Sequence, residues 1–190
     1  MRLVVGLGNP GQEYVYTRHN MGWAVIDHMA RDLGRASEKF RGEFWRLSSD
    51  CVLLKPTTFM NLSGFAVRDV FDFYKLDVSD VLVVCDETAL PFGKLRLRAK
   101  GSAGGHKGLA SVLACLGSLA VPRLRIGVGD GANKISWVLG HLSSDEMSLF
   151  PDIMDRAEKG VYSWLTLGSE RAMNVINAPP VDAAKNGSDM

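Results

Sequence analysis

Residues 6–20, GLGNPGQEYVYTRHN, follow a short apolar run, Arg2 to Leu7, and their reading decides the fold. The run is β-branched and predicts a buried strand. Behind it Gly6, Gly8 and Gly11 spell G-x-G-x-x-G, the pattern of a dinucleotide-binding turn. Such a turn also needs a helix that opens at the glycines, so that its first amides meet a pyrophosphate, and an acidic residue ending the next strand about 20 residues on. Here Trp23, Ile26, Met29, Ala30 and Leu33 recur at helical spacing, which predicts a helix from Gly22 to a Gly34 cap that starts nearer Asn20 than Gly11. Residues 12–19 form a polar and aromatic loop, and Asp27 and Asp32 fall inside the helix, not at a strand end. The glycines therefore predict a tight turn, stiffened by Pro10, that leaves Asn9 facing a crevice, and no nucleotide cofactor is expected.

Outward from this turn, strands and helices alternate. Phe40–Leu47 and Cys51–Leu54 read as a hairpin ended by Pro56, and Ser63 is placed to cap a helix with Ala66, Val70, Phe73 and Tyr74 inside. Val81–Cys85 reads as a central strand, and Lys94–Arg98 as another. A glycine-rich loop over residues 101–108 leads to a helix ending near Leu116, followed by a strand at Leu124–Val128. Helical patterns close the chain over Ser144–Leu167, with Pro151 as a start or break, and over Glu170–Ile176. The alternation predicts one α/β domain over residues 1–177, a three-layer α/β/α arrangement around a mixed, mostly parallel twisted sheet, with a loose tail over 178–190. In such sheets ligands bind at the carboxyl ends of strands, so the segments after Leu7, Leu54, Cys85 and Leu97 should hold the chemistry.

Bulk properties narrow the class. With 46% apolar and 23% charged residues among 190, the chain matches an ordinary globular composition. No apolar run approaches a membrane span, and the glycine-punctuated start is too short for a signal peptide, so a cytoplasmic protein with no membrane partner is expected. Cys51, Cys85 and Cys115 are far apart, with no C-x-x-C, and read as buried thiols. The net charge of +1 gives no global sign of a polyanionic partner. Its distribution does: Lys94, Arg96, Arg98 and Lys100 alternate with Leu95 and Leu97, so an extended chain presents a row of cations on one face.

Each predicted strand is followed by polar residues: Asn9 after the first, Asn61 after Pro56, Asp86 and Glu87 after Cys85, and His106 in the glycine-rich loop. A set of amides, one aspartate and histidines, without a serine or cysteine nucleophile and without metal-ligand spacing, points to water activated by a general base. His19, mostly neutral near neutral pH, is the natural base, and Asp86 the residue to orient it. An asparagine amide can serve the oxyanion. His28, within the first helix, and His141, after a glycine, read as structural or solvated.

The blocks Val5-Gly-Leu-Gly-Asn-Pro-Gly11, Tyr14-x-x-Thr-Arg-His-Asn-x-Gly22, Lys55-Pro-Thr-Thr-Phe-Met-Asn-Leu-Ser-Gly64, Asp86-Glu87, Gly104-Gly-His-x-Gly108 and Arg123-Leu-Arg-Ile-Gly127 occur in order over nearly the whole chain. Together they resemble the bacterial peptidyl-tRNA hydrolase family. The resemblance implies a monomeric, metal-free hydrolase that needs no cofactor and cleaves the ester between a peptide and the 3′ end of tRNA, recycling that tRNA. By position it implies His19 as base, Asp86 as its orienting residue and Asn9 as the group that binds peptide and polarises the ester. Met60, Asn61, Tyr14 and His106 would contact substrate, and Arg96, Arg98 and Arg125 the phosphates of the tRNA acceptor stem. One departure stands out: the family's usual asparagine after this histidine is Lys107, which donates hydrogen bonds but cannot accept them and is carried over as a binding residue. Ala89 likewise stands where many relatives have an acidic residue. A catalytically silent RNA-binding scaffold, as in some plastid relatives, is the competing expectation, and intact His19 and Asp86 weigh against it.

Overall fold

The computed structural model describes residues 1–179. Seven strands form one mixed sheet: β1 (Arg2–Gly6), β2 (Ser37–Lys39), β3 (Gly42–Arg46), β4 (Cys51–Pro56), β5 (Val81–Glu87), β6 (Leu95–Arg98) and β7 (Arg123–Gly127), in the spatial order β2-β3-β4-β1-β5-β7-β6. The central four, β4-β1-β5-β7, run parallel, while β2, β3 and β6 join through antiparallel pairings at the two margins. Five helices accompany the sheet among the described residues: α1 (Met21–Ala30), α2 (Ser63–Tyr74), α3 (Lys107–Leu116), α4 (Lys134–Leu139) and α5 (Ser144–Ile176).

The central strands are apolar on both faces because helices cover both. On one side Val4, Leu82, Val84 and Leu124 pack against Met21, Val25 and Ile26 of α1 and Ile153, Val161 and Trp164 of α5. On the other, Leu3, Val5, Leu54 and Val83 meet Val67 and Val70 of α2 and Leu109 and Val112 of α3. The three-layer reading is thereby realised. The tail expected over 178–190 lies outside the described residues beyond Pro179.

The glycine-rich first turn is explained by packing, not by phosphate. A Cβ on Gly6 would lie 2.1 Å from the carbonyl oxygen of Gly22, and one on Gly22 would lie 2.3 Å from that of Val84. The first turn of α1 thus rests directly on the backbones of β1 and β5, and the Trp23 N–H donates to the Leu7 carbonyl at 3.2 Å. Gly11 has φ 120 and precedes two single-turn 3-10 segments, Gln12–Tyr14 and Arg18–Asn20, so no helix opens at the fingerprint.

Several local expectations are corrected. α1 ends at Ala30, short of Gly34. Ser63 begins α2 but does not cap it, since its hydroxyl donates back to the Met60 carbonyl at 2.8 Å. Pro151 lies inside α5 without ending it, and the bend between the two predicted helices falls at Gly168, φ 75. Cys115 is half-buried, while Cys51 and Cys85 are buried. Strand β2 and helix α4 had no reading from the sequence. The β2–β3 turn is built on Phe40 and Arg41, both at positive φ, which carry none of the usual turn chemistry. β6 runs antiparallel, so the residues after Leu97 start from the opposite edge of the sheet, and the 99–105 loop must return along it to bring His106 to Asp86.

Because backbone carbonyls, not pliable side chains, surround Gly22, Gly22→Ala should destabilise the protein by about 1–3 kcal/mol or more. Urea unfolding of the two proteins measures this; equal midpoints would contradict the contact.

Candidate active site

Asp86, near the carboxyl end of β5, is 4% exposed and accepts from two imidazoles. His19 Nδ1 lies 2.9 and 3.0 Å from its two carboxylate oxygens, and His106 Nε2 lies 2.9 Å from Oδ1. The backbone fixes one tautomer. His106 caps α3 with Nδ1 accepting from the Leu109 N–H at 3.2 Å, so its proton sits on Nε2 and is donated to Asp86. Burial alone would push the Asp86 carboxyl up, but the N–H groups that His106, and then His19, turn toward it outweigh that cost and hold the group well below the usual carboxylate range. An ionised Asp86 can only accept, so His19 donates through Nδ1 and keeps Nε2 as an acceptor. Sequence reading placed His19 and Asp86 together as base and orienting residue; the second imidazole on the same carboxylate was not foreseen.

A second array fixes Asn9. Its backbone N–H donates to Asn20 Oδ1 and its carbonyl accepts from Asn20 Nδ2, both at 2.9 Å. Its side-chain Oδ1 accepts from the Met60 N–H at 2.9 Å. The orientation of the amide is thereby set, and Nδ2 remains as a donor. Asn20, one residue beyond the base, was missed as the clamp; its place in the Thr-Arg-His-Asn block was the available signal.

Asn9, His19, Met60, Asn61, Asp86, Glu87, His106 and Lys107 all line one cavity of about 470 Å³. Its remaining wall is Phe59, Thr88 and Gly105 together with Lys134, Ile135, Val138 and Leu139 of α4. Phe59 and Ile135 are 58% and 63% exposed and, with Met60, Val138 and Leu139, make the apolar part of the wall. α4 is held over His19 by the neighbouring Arg18: this guanidinium pairs with Glu146 at 2.7 Å, stacks 3.7 Å over the Trp137 ring and donates to the Trp137 carbonyl. Asn133 caps α4 by accepting from the Ser136 N–H, the one sequence cue to this short helix.

Tyr14 does not line the cavity; its carbonyl accepts from the Thr17 hydroxyl in the turn before His19. Arg96 faces Arg125 across the β6–β7 pair, as Arg98 faces Arg123. Arg98 is exposed and Arg96 half-buried. Arg125 pairs with Glu87 at 3.2 Å and Arg123 is fully buried among the carbonyls of Val121, Gly101, Ser102 and Leu119. Among the described residues Arg96 and Arg98 have no ion-pair partner, and with the exposed Lys94 and Lys100 they make up the cationic surface of this edge. The ligating atoms of His19, Asp86 and His106 lie within 4.8 Å of one another, a donor set that a metal ion would accept, but each imidazole already holds an aligned hydrogen bond to the carboxylate. No helix among the described residues is long and apolar enough to cross a membrane.

Comparison with known proteins identifies the family. The profile of the family described as Peptidyl-tRNA hydrolase matches residues 3–185. The peptidyl-tRNA hydrolase of Syntrophomonas wolfei is 43% identical over 93% of this chain and 100% of its own length, and that of Synechococcus elongatus is 43% identical over 95% and 94%. The crystal structure of peptidyl-tRNA hydrolase from Acinetobacter baumannii superposes with a TM-score of 0.86 at 35% identity, covering 94% of this chain and 95% of the other. With its strand-end residues gathered on one cavity and residues 3–185 matched, the chain belongs to the peptidyl-tRNA hydrolase family.

Proposed function

We propose that this enzyme cleaves the ester between a peptide and the 3′ end of tRNA, as a cytoplasmic monomer, by means of a water activated by His19 and without metal or other cofactor. The observation that carries this reading is the His19–Asp86 hydrogen bond, which commits Nδ1 and leaves Nε2 as an acceptor on the cavity that Asn9 also lines. A water held at Nε2 gives up its proton as its oxygen attacks the ester carbonyl, and Asp86 stabilises the imidazolium that forms. The Asn9 Nδ2 group donates to the developing oxyanion. Collapse of the intermediate breaks the bond to the ribose oxygen, which leaves with the proton returned from His19.

Substrate follows from the rest of the wall. Asn61 and the buried Met60 hold the peptide end, while Phe59, Ile135 and Leu139 offer apolar surface to its side chains. Lys107 and Lys134 supply charge for the terminal phosphates, and Arg96 and Arg98 extend it along the acceptor stem with Arg125 behind them.

His19→Ala should lower kcat for release of tRNA from N-acetyl-aminoacyl-tRNA by about 10²–10⁴-fold while tRNA binding persists; unchanged turnover would end the assignment. Arg96→Ala with Arg98→Ala should weaken binding and reduce the slope of log affinity against log salt by about two, and an unaltered slope would remove this strand from the tRNA site.

Asp86 also links the site to stability. Its carboxyl is depressed in the folded state, so its contribution is complete above the unfolded value and drains as pH falls through the folded one. In urea titrations the wild type should exceed Asp86→Asn at neutral pH, and the gap should close only below about pH 4. A gap that closed between pH 8 and 6 would contradict an ionised Asp86.

A further inference from the structure

On the seam between α1 and α5, outside the cavity, three further ligating side chains converge. His28 lies in the last turn of α1, and Asp155 and Glu158 lie three residues apart on one face of α5. His28 Nε2 is 3.1 Å from Asp155 Oδ1 and 3.2 Å from Glu158 Oε2, and the three donor atoms all lie within 4.8 Å of one another. Yet this nitrogen, shut off from solvent, makes no aligned hydrogen bond to either oxygen. A buried polar atom that remains unpaired beside two carboxylates calls for a water or an ion.

We propose that His28, Asp155 and Glu158 form a Zn²⁺ site that ties α1 to α5. Zinc bonds of 2.0–2.2 Å to nitrogen and oxygen place neighbouring tetrahedral ligands about 3.4 Å apart, close to both spacings at His28. One imidazole and two carboxylates suit this ion, and the Asp155 side chain, 61% exposed, leaves an entry path and room for water at the fourth position. Arg31 Nη1 lies 3.2 Å from both Glu158 oxygens. Its charge orients that carboxylate but opposes an incoming cation, so it moderates the affinity. The site joins the helix whose first turn follows His19 and Asn20 to the longest helix of the fold, without touching the cavity.

The test is thermal unfolding of chelator-stripped protein titrated with Zn²⁺ or with Mg²⁺. Zn²⁺ should raise Tm saturably and Mg²⁺ should not. In His28→Gln, and separately in the surface variant Asp155→Asn, half-saturation should move to about tenfold higher Zn²⁺ or beyond. Arg31→Gln should move it lower. His19→Ala should keep the full shift, which separates this site from the His19–Asp86–His106 cluster. Absence of a Zn²⁺ shift, or a shift retained in His28→Gln and Asp155→Asn, would overturn the proposal.

Discussion

The contact on which the site depends is made without side chains. Where α1 crosses the sheet, Gly6 and Gly22 let helix and strand backbones approach until the carbonyl of Val84 occupies the place of a Cβ on Gly22. Any larger residue would lift the start of α1 off the sheet. Asp86 lies two residues beyond Val84, and His19 three residues before Gly22, so their 2.9 Å hydrogen bond follows from this approach. Gly6 and Gly8, which mimic a dinucleotide fingerprint, therefore serve packing in this structure, and the cavity lies just beyond them.

Electrostatics divides the region into an interior and a rim. Inside, a single ionised carboxylate serves two imidazoles, and its burial is offset by the hydrogen bonds that they donate. Glu87, next along β5, is matched by Arg125. Outside, the exposed side chains of Lys107, Lys134 and Arg98 carry positive charge at the rim, apart from the His19–Asp86 pair. Arg18 connects these levels: its backbone precedes His19, and its side chain carries Glu146 and Trp137, so the cap of α5 and the wall formed by α4 both register on the turn that bears this histidine.

Much of this was legible in the residue order. Parallel strands bring their carboxyl ends together, so listing polar residues after each apolar run retrieved Asn9, Asn61, Asp86 and His106 before any contact was known. At Leu97 the premise of this rule failed, although His106 still reaches Asp86 through the returning loop, because nothing in the pattern Leu95 to Arg98 shows which way an edge strand runs. Arg125 carries the same charge as Arg96 and Arg98, yet its ion pair with Glu87 assigns it to a different environment.

Local sequence was enough for the alternating α/β framework, for a first helix that starts well beyond Gly11, and for the amides, aspartate and imidazoles that follow the strands. These depend on local periodicity, turn chemistry and residue type, which a chain carries wherever it folds. Tertiary structure alone decided that His106 shares Asp86, that Asn20 and Met60 fix both ends of Asn9, and that α4 closes the cavity against Arg18. Arg18 and Glu146 stand 128 positions apart, and Asn9 and Met60 are separated by 51. Hydrogen bonds of 2.7–3.3 Å between such residues exist only once the sheet has set the register of everything attached to it, and no local pattern encodes that distance.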